Sequence, residues 1–318
     1  MVKKNNPSKI ILSVDVDDQS VKPAKSVWRV LGFWTRRLNA EIESVHVLQN
    51  SPRLIDDGIK HEAAASLKKF INRAGVHQLH LADGTVLVGG VTLGVSVASL
   101  IRYAKKQNAK MLMVMSHGRK GLNRFLMGSF SEKLLKTSPF PVVFLGKTGL
   151  AHRERFLFIT DFSRESKRSF QLFLSQFKEL RPEVVIYHAI QPMYELMGVV
   201  QLPTFEQRSG ATDQMVAWIK LAQDNGVNAR SIIEENVISI PKAVQRMVTR
   251  EKVSMIAMSS RIGRISKEIF RLHQVNVWVC GPALLRGAIR KMSIRPYIKP
   301  VSTAFLSTVQ NKGRTASL

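Results

Sequence analysis

Two apolar runs that each end in aspartate, Lys9-Ile10-Ile11-Leu12-Ser13-Val14-Asp15 and Arg155-Phe156-Leu157-Phe158-Ile159-Thr160-Asp161, open two series of elements in the same order. A second pair of runs matches as well: Val45-His46-Val47-Leu48-Gln49 and Tyr187-His188-Ala189-Ile190-Gln191. A third pair closes the two series, Pro141-Val142-Val143-Phe144-Leu145-Gly146 and Asn276-Val277-Trp278-Val279-Cys280-Gly281. Corresponding points lie 135 to 146 residues apart. A chain that repeats itself at this spacing is expected to be a tandem duplication of one domain. The boundaries expected are 1–150 and 151–282, with a tail over 283–318.

Within the first series, apolar strands alternate with helical spacing. Val27, Val30, Leu31, Trp34 and Leu38 share one face of a predicted helix over 25–38. Strands are predicted at 43–48, at 85–88 before Gly89-Gly90, and at 111–115. Helices are predicted near 58–74, over 95–106 and over 131–137. The second series gives helices over 165–180 and 241–250, the latter with proline in its first turn. Its third and fourth strands fall at 229–234 and 253–258. Alternation of this kind predicts α/β domains, each a parallel sheet with helices on both faces.

The stretch Met115-Ser116-His117-Gly118-Arg119-Lys120-Gly121, running on to Gly128-Ser129-Phe130-Ser131-Glu132, joins a strand to a helix. Glycines let the backbone approach an anion, and the free N–H groups of a helix start point at it. Gly118 and Gly128-Ser129 are the positions expected nearest a phosphate, with Arg119, Lys120 and Arg124 adding charge. Ser129-x-x-Glu132 is equally a capping box that needs no ligand. Both readings stand on the sequence.

These residues together resemble the universal stress proteins. The features that carry the resemblance are the strand ending in Asp15, the His-Val pair of strand two and the Ser-His-Gly-Arg loop. Gly128-Ser129 and the closing Ser138-Pro139-Phe140-Pro141-Val142-Val143 complete it. The resemblance covers 9–146 well and 155–281 weakly. It implies five-stranded, Rossmann-like parallel sheets in the order 3-2-1-4-5. It also implies that strand five pairs across a dimer interface, which a tandem member forms within one chain.

The family's nucleotide-binding branch implies ATP with Mg²⁺ in the first domain only. Its loop motif falls on Met115, Gly118, Gly128 and Ser129, with Arg119 and Phe130 beside them. Its strand-one aspartate and adenine contact fall on Asp15 and Val47. Met115 stands where the family has glycine; it either fills part of the crevice or turns into the sheet core. In the second domain Met258-Ser259-Ser260-Arg261-Ile262-Gly263 replaces the loop with a shorter one, and only Asp161 survives. That domain is expected to be a built-in structural partner.

No Ser-His-Asp triad, Walker loop or zinc spacing is visible. The resemblance implies a stress-response regulator or sensor with at most slow ATP hydrolysis. A closed scaffold protein is the alternative. His46 and His188 read as buried, hydrogen-bonded histidines. His117 lacks an orienting partner. Asp15, Asp17 and Asp18 can hold a cation or serve as turn and cap residues. Met193 and Met197 read as a packing patch.

One cysteine, Cys280, excludes an intramolecular disulfide and fits a reducing, cytoplasmic setting. No apolar stretch is long enough to span a membrane or form a signal segment. The net charge of +25 is spread: 23 Lys+Arg against 10 Asp+Glu in 1–150, 18 against 13 in 151–282, and 7 against none in the tail. Spread charge reads first as a solubility feature. Nucleic acid ranks last among partners, because aromatic platforms beside the basic groups are not evident in the sequence. In the tail, Arg286, Arg290 and Lys291 beside Leu284, Leu285, Ile289 and Met292 fit anionic lipid, a protein partner or packing on the second domain. Residues from about Ser307 read as disordered.

Overall fold

The computed structural model describes residues 7–16, 25–49, 55–76, 81–115, 129–146, 154–194, 200–259, 268–269, 275–286 and 301–302. The first series runs β1 (Ser8–Ser13), α1 (Lys25–Leu38), β2 (Ala40–Leu48), α2 (Asp57–Val76), β3 (Ala82–Val88), α3 (Leu93–Lys106), β4 (Met111–Met115), α4 (Ser129–Thr137) and β5 (Val142–Leu145). The second runs β6 (Arg155–Ile159), α5 (Arg164–Phe177) with a 3-10 turn over Lys178–Leu180, and β7 (Glu183–Ala189). A small hairpin of β8 (Met193–Tyr194) and β9 (Val200–Gln201) follows. Then come α6 (Phe205–Asp224), β10 (Asn228–Glu234), α7 (Ile240–Arg250), β11 (Met255–Ser259), β12 (Asn276–Cys280), α8 (Pro282–Arg286) and β13 (Val301–Ser302).

Eleven strands form one sheet in the order β10-β7-β6-β11-β12-β5-β4-β1-β2-β3-β13. The first five strands are therefore arranged 3-2-1-4-5, and so are the next five. Neighbours within each group of five are parallel. The groups meet at β5 and β12, which pair antiparallel with Trp278 opposite Val143. The pairing expected between strands five is thus made inside the chain. At the far edge Val301 and Ser302 pair antiparallel with Val86 and Thr85 of β3.

Period-two alternation divides the core in two layers. Met111, Met113 and Met115 join the layer under α1, α2, α5 and α6, whereas Leu112 and Val114 join that under α3, α4 and α7. The first layer is continuous across the β5–β12 seam. Trp34 of α1 lies 5.5 Å from Phe177, and Phe177 lies 6.3 Å from Trp278. Such aromatic pairs contribute about 0.5–1.5 kcal/mol each beyond burial. Trp278 Nε1 donates to Gln176 Oε1 at 3.0 Å, and Gln176 Nε2 donates to the Lys110 carbonyl at 3.2 Å. The seam is thus hydrogen-bonded as well as apolar.

The expected boundaries shift where local hydrogen bonding extends an element. β2 and β3 each begin three residues early, and α4 begins at Ser129. The helix expected over 165–180 ends at Phe177 and tightens into the 3-10 turn, closed by Arg181 at φ 48°. α6 has no bounded counterpart in the sequence reading. Its apolar Phe205 and Val216 are exposed, which blurs the helical stripe. It is started instead by a capping box, in which Thr204 and Gln207 satisfy each other's backbone N–H. Met193 lies in β8, opposite Gln201; Met197 lies outside the described residues. The tail helix α8 packs against α4 and α5 with Leu285 buried, and Arg168 donates to the Leu285 carbonyl at 2.7 Å. Leu285 is therefore turned inward against helices of both groups, the packing alternative for that turn; Ile289, Arg290, Lys291 and Met292 lie outside the described residues.

Candidate functional site

β1 lies between β2 and β4, with Ser13 opposite both Val45 and Val114. The chain leaves β1 toward α1 on one face and reaches α4 on the other after β4. The carboxyl ends of β1 and β4 therefore flank the switch point, where a crevice opens in sheets of this kind.

Asp15 follows β1 at this edge and is exposed. Its neighbours are fixed from below. Val14 N donates to the Val45 carbonyl at 2.9 Å, and His46 Nδ1 lies 3.0 Å from the Val14 carbonyl. The same nitrogen lies 3.4 Å from Val16 N. His188 Nδ1 meets the Thr160 carbonyl at 2.9 Å in the second group. The matched histidines thus brace the ends of β1 and β6.

Val47 is buried in the α3/α4 layer. It lies two residues past Val45, where the β1 ladder ends, while β2 continues to pair with β3 through Val47 and Leu87. Its β1-facing backbone edge thus lies beyond that strand. Met115 is 6% exposed and packs in the α1/α2 layer, opposite the face that carries α4. Of the two readings of Met115, the structure places its side chain in the core. Ser129 is exposed at the first position of α4, and Phe130 is half-buried against the α3/α4 layer. Gly118, Arg119 and Gly128 lie outside the described residues, as do His117, Asp17 and Asp18.

Gly89-Gly90 closes β3 beside this edge for a packing reason. A Cβ on Gly89 would stand 2.4 Å from Ser96 Oγ, and one on Gly90 2.8 Å from Val95 Cγ1. Only bare backbone lets α3 begin so close to the strand.

The corresponding edge of the second group is satisfied internally. The Asp161 carboxylate accepts from Ser163 N at 3.0 Å and from the Ser163 and Ser166 hydroxyls at 2.6 Å each. Ser166 Oγ lies 3.3 Å from Ser259 Oγ, joining α5 to β11. Burial alone would raise the Asp161 carboxyl; the Ser163 and Ser166 hydrogen bonds outweigh it and hold it below the ordinary carboxylate range. Burial lowers the His188 imidazole, against the Thr160 carbonyl and the Asp161 charge. The sequence reading did not use Ser163 or Ser166, although Asp-x-Ser-x-x-Ser before a helix is the spacing of a local cap.

A second unforeseen cluster lies at the opposite edge. Thr85 Oγ1 donates to buried Glu43 at 2.9 Å, Tyr103 donates to the same oxygen, and Lys9 Nζ stands 3.3 Å from the other. Burial, then the Glu43 hydrogen bond, pushes the Tyr103 phenol up. Among the described residues no group of three or more His, Cys, Asp or Glu is placed to hold a metal ion.

Residues 9–145 match the universal stress protein family model. That stretch is similar to the domain of this family. Universal stress protein MJ0531 of Methanocaldococcus jannaschii is 25% identical over 154 residues, 45% of this chain and 85% of the relative. A universal stress protein structure from Archaeoglobus fulgidus covers 86% of this chain and 98% of its own, at TM-score 0.62 and 18% identity. A putative universal stress protein from Pseudomonas aeruginosa covers 88% and 95%, at TM-score 0.57 and 12% identity. At those identities the two structures establish the universal stress protein fold. No helix among the described residues is long and apolar enough to cross a membrane.

Proposed function

We propose that the chain is a tandem universal stress protein of the cytoplasm. In this reading residues 1–150 bind ATP with Mg²⁺, 151–282 serve as a degenerate built-in partner, and 283–318 form a basic tail. The protein acts as a stress-response regulator rather than a metabolic enzyme. The observation that carries this is the switch point between β1 and β4, with Asp15 and Val47 at its rim and Met115 turned to the opposite layer. Asp15 is the carboxylate suited to ribose hydroxyls or a phosphate-bound Mg²⁺, and the Val47 backbone suits an adenine edge. Gly118, Arg119, Gly128, Ser129 and Phe130 complete the phosphate side. The second group supports a partner role, since Asp161 there is occupied by Ser163 and Ser166.

Native mass spectrometry of the gently released protein tests the reading. A mass increment of one adenine mononucleotide is expected on wild type and absent from Gly128→Val, where a branched side chain stands at the phosphate. An unliganded wild type that also fails to take up added ATP supports the closed scaffold instead.

A further inference from the structure

Helix α1 carries no acidic residue. Its outward side presents Arg29, Phe33, Arg36 and Arg37, spaced to share one face. The three arginines are exposed, and Phe33 is half-buried, packed on one side against the core layer, with the Arg37 guanidinium 5.8 Å from its ring centroid. The 3-10 turn over Lys178–Leu180 packs directly on α1, and the Trp34–Phe177 contact fixes it there. That turn adds exposed Lys178 and Arg181. The Gln176 hydrogen bond to the Lys110 carbonyl brings exposed Lys110 to the same seam. Three segments far apart in sequence thus converge six cations.

Exposed acidic groups on these segments and at the adjoining start of β2 are Glu179 and Glu41. Among the described residues, no ion pair engages any of the six. Arg155, Arg230, Arg246 and Arg250 differ: Glu183, Glu234 and Glu251 neutralise them. The α1 seam is therefore open positive charge.

We propose that this seam docks single-stranded nucleic acid. Its cations suit successive phosphates, and Phe33 supplies the aromatic surface on which a base stacks. This is the element that composition did not reveal. A membrane surface fits less well. The exposed large apolar side chains Ile59, Val91, Leu202, Phe205, Val216 and Ile238 all lie elsewhere, so the seam has no wedge to insert.

Fluorescence anisotropy of the full chain with a labelled oligonucleotide of about 20 nucleotides tests the proposal. Affinity should fall steeply as salt rises. The combined Arg29→Ala, Arg36→Ala and Arg37→Ala variant should bind about tenfold more weakly, with a salt slope reduced by about 2. A control set on α2, Lys68→Ala, Lys69→Ala and Arg73→Ala, removes equal charge and should stay within about twofold of wild type. Melting curves establish that both sets fold. Equal losses in the two sets, or no binding even at low salt, would overturn the proposal. Binding only to phosphatidylserine vesicles, weakened by the α1 set, would overturn it in favour of a membrane.

Discussion

Gly281 stands so close to Leu135 that a Cβ on the glycine would lie 2.1 Å from the leucine carbonyl oxygen. The glycine follows β12 of the second group, and Leu135 is in α4 of the first. Bare backbone at this point lets the two groups close. Gly281→Ala forces the backbone of α4 or β12 to move and should cost about 1–3 kcal/mol, the usual range for overpacking. Denaturant titration reads the loss, and an unchanged midpoint would show that the contact is slack.

The β5–β12 ladder makes a second prediction. Residues 1–150 alone expose the edge of β5, Val142 to Leu145, which is fully buried in the whole chain. An unpaired apolar edge recruits another strand. Analytical ultracentrifugation of this fragment should show self-association, while the full chain does not use that edge. A fragment that stays monomeric at high concentration contradicts the role of the second group as a built-in partner.

Glu154 makes the stability depend on pH. It is 8% exposed, accepts from Ser254 Oγ at 2.9 Å, and lies near the seam through Ser254, Asn276 and Gly146. Burial pushes its carboxyl up to about 7, against the smaller lowering effect of Ser254. The neighbouring Arg155 is engaged with Glu183 and the Glu251 carbonyl. A raised carboxylate binds its proton more tightly when folded, so its contribution is full below the unfolded value of 4.5 and is lost as pH rises through about 7. The loss is on the order of 3 kcal/mol. Glu154→Gln should remove this component and be more stable than wild type at pH 8, read by urea unfolding at several pH values. Parallel pH curves for the two proteins would contradict the assignment.

Met115→Gly separates the two roles offered for that side chain. Its packing in the α1/α2 layer predicts a loss of about 2–5 kcal/mol in stability. ATP affinity should remain within about twofold, because the side chain does not stand on the α4 side. Tighter binding without destabilisation would mean that Met115 obstructs the crevice.

The repeated strand series was legible because Asp15 and Asp161, His46 and His188, and the two closing strands recur at matching spacing; the 3-2-1-4-5 order was implied only by the resemblance to universal stress proteins, since a repeat says nothing of which strands pair. Met115 was ambiguous because a short apolar run has no face until its neighbours are placed. α6 was left without bounds because exposed Phe205 and Val216 interrupt its apolar stripe. The Asp161–Ser163–Ser166–Ser259 network was only half legible. The first three residues form a local cap spacing, whereas Ser259 arrives from β11 through the tertiary fold. The cation seam was invisible for the same reason: Lys110, Lys178 and Arg181 meet α1 only when the two groups close on each other.

Calorimetric titration of the full chain with ATP in the presence of Mg²⁺ tests the nucleotide reading most directly. The account predicts saturable heat with one site per chain, lost in Gly128→Val and retained when Asp161 is changed to asparagine. Folded wild type that gives no binding heat at millimolar ATP would contradict it.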